Sequence, residues 1–284
     1  MKTHVLCALA GAVILTASAA KAVVVNFNGG AQDLTNNFNC DFDGNPVASN
    51  PTFSDTAGVS DNGGMPGGGL VGNNTDVTCV YTGAGGAASP ASFDLTTGQS
   101  VSLFFQSAAP GTNRIVQVGF INQVNSSFNN DAGKTPPNTA FITARPYGTG
   151  QVEFQIKDAT DGTHNTTLAP AGTALTPNNW YKITLAVQEL DTTANTFAYN
   201  VSLDNYGADG VSSPVNVFTS GPKTATIAGG AAAFGSGVGY PGFRQISASP
   251  NMDNFEAAPG QVPEPASLGL MGLLAAGLLR RRSA

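Results

Sequence analysis

The feature that most constrains the fold is an apolar pattern that repeats every second residue, or runs unbroken through β-branched and aromatic residues, in ten short segments. Such segments are typical of β-strands, whereas an amphipathic helix repeats its apolar residues about every 3.6 positions. Clusters of Gly, Asn, Asp and Pro separate the segments and favour turns. The predicted strands are 23–27, 101–106, 115–122, 139–145, 151–157, 180–188, 196–203, 215–219, 242–246 and 252–257. This pattern predicts an all-β protein with a single antiparallel β-sandwich.

The first 22 residues have the three parts of a signal peptide. A short, positively charged N-terminal region containing Lys2 precedes an apolar run from Val5 to Ala17. Ala20-Lys21-Ala22 then matches the A-x-A pattern of a signal-peptide cleavage site. The run is too short to cross about 30 Å of hydrocarbon. We therefore expect residues 1–22 to form a signal helix that directs the chain to the Sec translocase and is then removed.

The other end of the chain also has three parts. Pro263-Glu264-Pro265 precedes an uncharged apolar run, Ala266 to Leu279, and three arginines follow it. As a helix the run would be about 21 Å long, short of a comfortable membrane span. The arginines favour the cytoplasmic side, and the prolines keep their motif extended. The pattern predicts a hydrophobic helix that holds the motif just outside the inner membrane.

These three parts, in this order, closely resemble the PEP-CTERM sorting signal over Pro263 to Ala284. The resemblance implies a Gram-negative bacterium and processing by exosortase, a membrane-embedded cysteine transpeptidase whose system accompanies exopolysaccharide and biofilm production. It assigns recognition to Pro263, Glu264 and Pro265, and orientation to Arg280, Arg281 and Arg282. We expect transient anchoring in the inner membrane and then a place at the cell surface or in the extracellular matrix.

Between these ends lies a body of residues 23–261, which we expect to be one β-sandwich domain before the sorting signal at 262–284. Hydrophobic residues make up 41% of the chain and charged residues 11%, which argues against intrinsic disorder. The body holds seven basic and seventeen acidic residues, so its net charge is about −10. Since nucleic-acid binding needs a basic face, we expect no nucleic-acid partner.

Residues 28–91 are loop-rich, with many Gly, Asn, Ser and Asp. More than about 60 residues of pure loop are unusual inside a domain, so we expect short strands around the apolar residues there. Those residues are Phe38, Phe42, Phe53, Leu70, Val71, Val77, Val80 and Tyr81.

Cys40 and Cys79 form an even pair in an oxidising compartment. We expect a disulfide between them that closes a loop of about 40 residues, with Cα atoms within about 7 Å.

Two segments resemble the concanavalin A-like (laminin G-like) sandwiches often found in front of this sorting signal. One is Asn179-Trp180-Tyr181-Lys182-Ile183-Thr184-Leu185-Ala186-Val187, and the other is Met252-Asp253-Asn254-Phe255-Glu256, which is similar to the closing strand of that family. The resemblance implies an antiparallel jelly-roll β-sandwich of the concanavalin A-like kind over about 93–257. Pairing of the closing strand with 23–27 would bring the termini together. Galactose-binding-like and immunoglobulin-like sandwiches remain alternatives at this point.

The strand 180–187 makes a sharper prediction, because successive side chains of a strand point to opposite faces. We expect a central strand with four apolar residues on one face, namely Tyr181, Ile183, Leu185 and Val187. The other face would carry Trp180, Lys182, Thr184 and Ala186. We expect Trp180 itself to be buried where the strand begins, as part of the core.

The carboxylates of the body do not suggest catalysis. Glycoside hydrolases need two carboxylates about 5–10 Å apart, and the E-x-D-x-x-E pattern of a neighbouring glucanase family is not in the sequence. We expect Glu153 to be solvated on an outward face, Glu189 to end a strand before a turn, and Glu256 to lie in the closing strand. His164 follows a turn and is expected at the surface, not in a catalytic triad. We expect no catalytic residues.

Two kinds of ligand contact are candidates. Tyr206 and Tyr240 lie in Gly-flanked segments, where an exposed ring could stack on a sugar. Asp41 and Asp43 place oxygens at alternate positions, as calcium loops do, although the glycine spacing is not that of an EF-hand, and an Asx-turn is the alternative. Asp253 of the closing strand could complete such a site. We expect no obligatory cofactor, with calcium as the alternative.

The sequence therefore predicts a non-enzymatic surface or matrix protein that exosortase processes, associated with exopolysaccharide or biofilm and able to bind glycan. One alternative is a secreted enzyme of the glycoside hydrolase type on the same sandwich. The other is a structural protein that stays tethered to the membrane because its tail is never cut.

Overall fold

The computed structural model describes residues 22–27, 37–42, 45–46, 53–55, 70–72, 77–83, 91–107, 115–124, 128, 138–158, 162–227, 234–235, 237–246 and 251–260. The predicted signal helix and the predicted C-terminal helix lie outside these residues. Within the described part of the chain, no helix has the length and apolar character needed to cross a membrane.

The described residues form eighteen strands and a single turn of 3-10 helix at Leu95–Thr97. In chain order the strands are β1 (Val23–Val25), β2 (Phe38–Phe42), β3 (Asn45–Pro46), β4 (Phe53–Asp55), β5 (Leu70–Gly72), β6 (Val77–Tyr81), β7 (Phe93–Asp94), β8 (Gln99–Gln106), β9 (Val116–Ile121), β10 (Phe141–Pro146), β11 (Val152–Lys157), β12 (Thr163–Ala169), β13 (Trp180–Asp191), β14 (Thr196–Asn205), β15 (Val215–Thr219), β16 (Lys223–Thr226), β17 (Val238–Gln245) and β18 (Asn251–Pro259).

The strands form two antiparallel sheets. Sheet A has the order β15-β14-β13-β8-β18-β5-β4, with β1 paired to β18 and β16 to β14. Sheet B has the order β12-β11-β10-β9-β17-β6-β2-β3, with β7 paired to β17. The predicted antiparallel sandwich is confirmed. Eighteen strands exceed the seven to nine of an immunoglobulin-like sandwich, which removes that alternative.

Strand β13 shows how the sequence pattern produces the sandwich. It lies inside sheet A between β8 and β14, as predicted for a central strand. Tyr181, Ile183, Leu185 and Val187 are all buried in the core between the sheets, while the alternate residues from Lys182 onward are half-buried on the outer face. Alternating burial of this kind follows from the two-residue period of a strand.

Aromatic rings join the sheets through the middle of the core. The Phe154 ring of sheet B lies 3.7 Å from the Tyr199 ring of sheet A, between centroids, with the two planes parallel. Phe255 of β18 packs on Phe38 at 5.1 Å and on Phe243 at 5.8 Å. The two pairs of Phe255 lie in the range of separations at which aromatic contacts add to the stability that burial of their area supplies.

The first strand of the body pairs with its last strand, as predicted. Val23 lies opposite Ala257, and Val25 lies opposite Phe255. Because the pair is antiparallel, the start of β1 and the end of β18 lie at the same end of the sandwich. The two points at which the body joins its predicted export and sorting segments are therefore close together.

The two sheets differ in how far their outer faces are covered. All six residues of β9 and all six of β10 are buried, so both faces of sheet B are inaccessible there. The outer face of sheet A is half-buried along β13. Sheet A therefore offers the more open face to a partner.

Candidate functional site

The residues of the predicted sorting motif, Pro263, Glu264, Pro265, Arg280, Arg281 and Arg282, lie outside the described residues. The described chain ends at Gly260, three residues before the motif. The Gly260 backbone N–H donates to the Gly98 carbonyl at 3.2 Å, and a Cβ on Gly98 would meet the Gly260 oxygen. This close approach, at a glycine with a φ of +80°, fixes the point from which the tail leaves the body.

The structure joins Cys40 and Cys79 by a disulfide. The two residues lie directly opposite each other on the neighbouring strands β2 and β6, with a Cα–Cα distance of 4.0 Å. Since β6 also pairs with β17, the disulfide attaches the early, loop-rich part of the chain to the middle of sheet B.

Tyr206 belongs to an aromatic cluster on the outer face of sheet A. It packs on Phe104 with ring centroids 4.8 Å apart, and Trp180 completes the cluster. Backbone bonds between Trp180 and both Tyr206 and Gly207 extend the β13–β14 ladder and hold the tyrosine over the sheet. Trp180 is buried as predicted, but it does not join the main core, because its position in β13 points outward. Tyr206 remains half-exposed.

Polar side chains surround this outer aromatic cluster. Lys182 Nζ donates to Glu256 Oε2 at 2.9 Å and lies 5.4 Å from the centre of the Phe104 ring. Asn251 donates to the Gln106 side chain at 2.6 Å. Ligand-binding sites commonly combine apolar or aromatic side chains with a few polar groups. Here the half-exposed Tyr206 ring could contact an apolar face of a ligand, and the neighbouring amides and charged groups could orient its polar groups.

Tyr240 lies on the opposite side of the molecule. It is half-buried on the outer face of sheet B, in a cluster with Ile121 and Phe141. The structure therefore does not bring Tyr206 and Tyr240 together, and a single ligand site cannot use both rings.

Glu153 is not solvated, which corrects the expectation from sequence. It points outward from sheet B as predicted, but that face is covered and the residue is only 8% exposed. Its carboxylate accepts hydrogen bonds from Arg145 Nε at 2.8 Å, Tyr147 Oη at 2.7 Å and Gln151 Nε2 at 2.7 Å. Period-2 patterning shows which way a side chain points but not whether another segment covers it.

A second polar row crosses the same covered face, and no pattern in the sequence predicted it. Gln117 Nε2 donates both to Thr143 Oγ1 at 2.6 Å and to Gln155 Oε1 at 2.7 Å. Gln155 in turn donates to Asn165 at 2.9 Å. Gln117, Thr143 and Gln155 are buried, so these bonds satisfy groups that would otherwise destabilise the sheet.

His164 lies on strand β12 with 62% of its side chain exposed, in agreement with a surface position. Its Nε2 is 3.3 Å from Asp158 Oδ2.

Glu189, expected near a turn, is instead buried inside a longer strand β13, and Asp191 ends that strand.

Of the three candidate calcium ligands, the structure describes the side chain of Asp253 alone. Asp43 lies outside the described residues, as does the side chain of Asp41, whose backbone is in sheet B. Asp253 lies in sheet A, at an irregularity of β18, and its Oδ1 accepts the Asn254 N–H at 2.7 Å. Among the described residues, no group of three or more His, Cys, Asp or Glu side chains could hold a metal ion.

Asp253 provides a prediction about pH. It is 1% exposed, and burial raises its pKa to about 7. Lys182 and Glu256, which lie on the same outer face of sheet A, pair with each other. Because the folded state keeps the proton that the unfolded chain loses above a pKa of 3.8, the free energy of unfolding falls as pH rises from about 4 to 7.

Replacing Asp253→Asn should flatten this dependence and stabilise the protein at pH above 7 by about 1 kcal/mol or more. Urea unfolding across this pH range measures it. Asp209→Asn, at an exposed turn, is the control and should leave the slope unchanged. An unchanged slope in Asp253→Asn would contradict the prediction.

Comparison with known protein families finds a match at the C-terminal end of the chain. The PEP-CTERM protein-sorting motif matches residues 261–283. The chain thus carries this sorting signal, which marks an exported protein of the Gram-negative cell envelope with exosortase as its processing partner. A comparison with curated proteins finds no match.

Solved structures show similar sandwiches at low identity. The PL-14 alginate lyase from Aplysia kurodai is 9% identical, with a TM-score of 0.45 over 74% of this chain and 87% of that one. The alginate lyase vAL-1 from Chlorella virus is 9% identical, with a TM-score of 0.40 over 65% and 76%. The carbohydrate recognition domain of Emp47p is 12% identical, with a TM-score of 0.39 over 69% and 85%.

Proposed function

We propose that this chain, which carries a PEP-CTERM sorting signal, is a non-catalytic protein of the cell surface or extracellular matrix whose sandwich binds a neutral exported polysaccharide. The sorting motif at 261–283 carries the first part of the proposal. The signal peptide and the Sec translocase supply export, and exosortase then removes the tail.

The shape of the body supports this order of events. Its first and last strands pair, so both junctions lie at one end of the sandwich. An anchored chain then directs that end toward the membrane, and the outer face of sheet A remains accessible beside it. Cutting the tail after Gly260 would leave the sandwich intact, since β18 ends at Pro259.

The outer aromatic cluster of Phe104, Trp180 and Tyr206 supports glycan binding. Its one half-exposed ring, Tyr206, packs against two buried rings, so we expect a sugar bound to it to order few side chains. Lys182 is already paired with Glu256, and the body is strongly acidic. Both facts favour a neutral polysaccharide over an anionic one.

Two of the described glutamates are held in structural contacts, and Glu189 and Asp253 are buried, which supports a non-catalytic role. Three donors hold Glu153, and Lys182 holds Glu256, which are structural contacts. An acid–base pair would need one carboxyl group free to exchange its proton with a substrate.

The test is retention of the exported protein on immobilised neutral polysaccharide from its host. Tyr206→Ala should weaken binding about tenfold, because the contact ring is lost. Tyr240→Ala is the matched control, since it removes a half-buried tyrosine from the other sheet, and it should bind as wild type does. Equal losses in both variants, or no wild-type binding, would contradict the proposal. Release of sugar chains by the wild-type protein would instead show a hydrolase or lyase.

A further inference from the structure

A row of hydroxyl side chains crosses the outer face of sheet A. Thr184 of β13 lies directly opposite Ser102 of β8 on one side and Ser202 of β14 on the other. Ser202 in turn lies opposite Thr219 of β15. These four residues, here called the hydroxyl row, point outward because the residues before and after them on β8, β13 and β14 are buried in the core. Since neighbouring strands are about 4.8 Å apart, the row is about 14 Å long.

Three of these hydroxyl groups are not used by the protein. Thr219 Oγ1 donates to Asn216 Oδ1 at 3.2 Å, but nothing in the described chain bonds to the hydroxyl groups of Ser102, Thr184 or Ser202. Ser102 is the most telling of them, because it is only 3% exposed, and buried polar side chains nearly always have a partner. Thr184 and Ser202 are half-buried beside it. The row therefore presents donors and acceptors that a ligand on this face can use.

The surface around the row carries no net charge. The next row across the same strands contains Ser100, Ala186 and Asn200, which are all uncharged. Glu256 lies at the β18 end of the hydroxyl row and is already paired with Lys182. Because the body as a whole is strongly acidic, an uncharged area of this kind favours an uncharged ligand.

The hydroxyl row is continuous with the outer aromatic cluster. Tyr206 packs on Phe104, which is the next outward residue after Ser102 on β8. Successive outward positions of a strand are about 7 Å apart. One ligand chain can therefore contact the half-exposed Tyr206 ring and the hydroxyl row at the same time.

We propose that the hydroxyl row extends the Tyr206 site, so that the sandwich binds a neutral polysaccharide as an extended chain of several sugar units. This inference rests on the glycan binding proposed above. One sugar stacks on Tyr206, and the following units form hydrogen bonds with Ser102, Thr184 and Ser202. A serine or threonine hydroxyl both donates and accepts, as sugar hydroxyls do, and these short side chains let a chain lie close to the sheet.

The composition of the row favours a glycan over a second copy of the protein. The centre of a protein–protein interface is enriched in aromatic residues and Met and depleted in Ser. The hydroxyl row has the opposite composition, with two serines, two threonines and no apolar anchor.

The experiment measures affinity against chain length by calorimetry. The probes are the neutral exopolysaccharide purified from the host and oligosaccharides of increasing length cut from it by mild acid. The exported wild-type protein should bind more tightly as the oligosaccharides lengthen. The double variant Thr184→Val, Ser202→Ala removes two hydroxyl groups and keeps residues that strands tolerate. It should bind long oligosaccharides about tenfold more weakly than the wild type, and the shortest ones equally well.

The matched control is Thr166→Val, Thr167→Val, which removes two exposed hydroxyl groups from β12 of sheet B and should bind every length as the wild type does. Wild-type affinity for long oligosaccharides in the Thr184→Val, Ser202→Ala variant would overturn the extended site. If Tyr206→Ala still lost binding in that case, the proposed function would stand without it. Sedimentation showing a dimer that this double variant abolishes would instead assign the row to a second copy and overturn the proposal.

Discussion

Replacing Pro263-Glu264-Pro265 with three alanines should stop maturation almost completely while export continues. The sorting motif matches residues 261–283, and these three residues are the part of it that we propose exosortase recognises. In a host with active exosortase, the uncut chain should accumulate in the inner membrane. Immunoblots of membrane and extracellular fractions measure the change.

Pro214→Ala is a suitable control for this variant, because Pro214 is exposed in a loop of the body far from the tail in sequence. It should mature at the wild-type rate. Normal maturation of the triple-alanine variant would show that exosortase does not recognise this motif here.

Loss of the disulfide should have the largest effect on stability. The double variant Cys40→Ala, Cys79→Ala frees a loop of 39 residues, and the chain-entropy estimate for such a loop is about 4 kcal/mol, with measured values often lower. We expect a loss of about 2–4 kcal/mol and a clear fall in the unfolding temperature. Urea unfolding followed by tryptophan fluorescence measures it, since Trp180 lies in the sandwich.

Reduction of the wild-type protein provides the comparison, and it should lower stability by about the same amount. The reductant should have no effect on the double variant. A double variant as stable as the oxidised wild type would show that β2 and β6 hold the loop-rich part without the disulfide.

The sequence predicted those parts of the fold in which one local pattern dominates. The alternation in Trp180–Val187 placed Tyr181, Ile183 and Leu185 correctly in the core. Short strands lie at Phe38, Leu70 and Val77, where apolar residues interrupt the loop-rich part. The pairing of β1 with β18 was also predicted, but from a family resemblance and not from periodicity.

What the sequence could not predict depends on contacts between distant segments. Glu153 and Glu189 both follow strand patterns, yet one is bound by three donors and the other is buried without any. The two-residue period assigns a direction to each side chain but contains no information about which segment covers it. Similarly, Gly-flanked positions suggested Tyr206 and Tyr240 alike, and only the tertiary fold places them on opposite faces.

Cleavage of the exported chain by exosortase is tested by the intact mass of the protein recovered from the host surface. The mature chain should begin near Val23 and lack the tail from the Pro263-Glu264-Pro265 motif through Arg280, Arg281 and Arg282. In a strain without exosortase, the same measurement should find the tail retained. A surface protein that keeps the three arginines in a host with active exosortase would show that the tail is not cut.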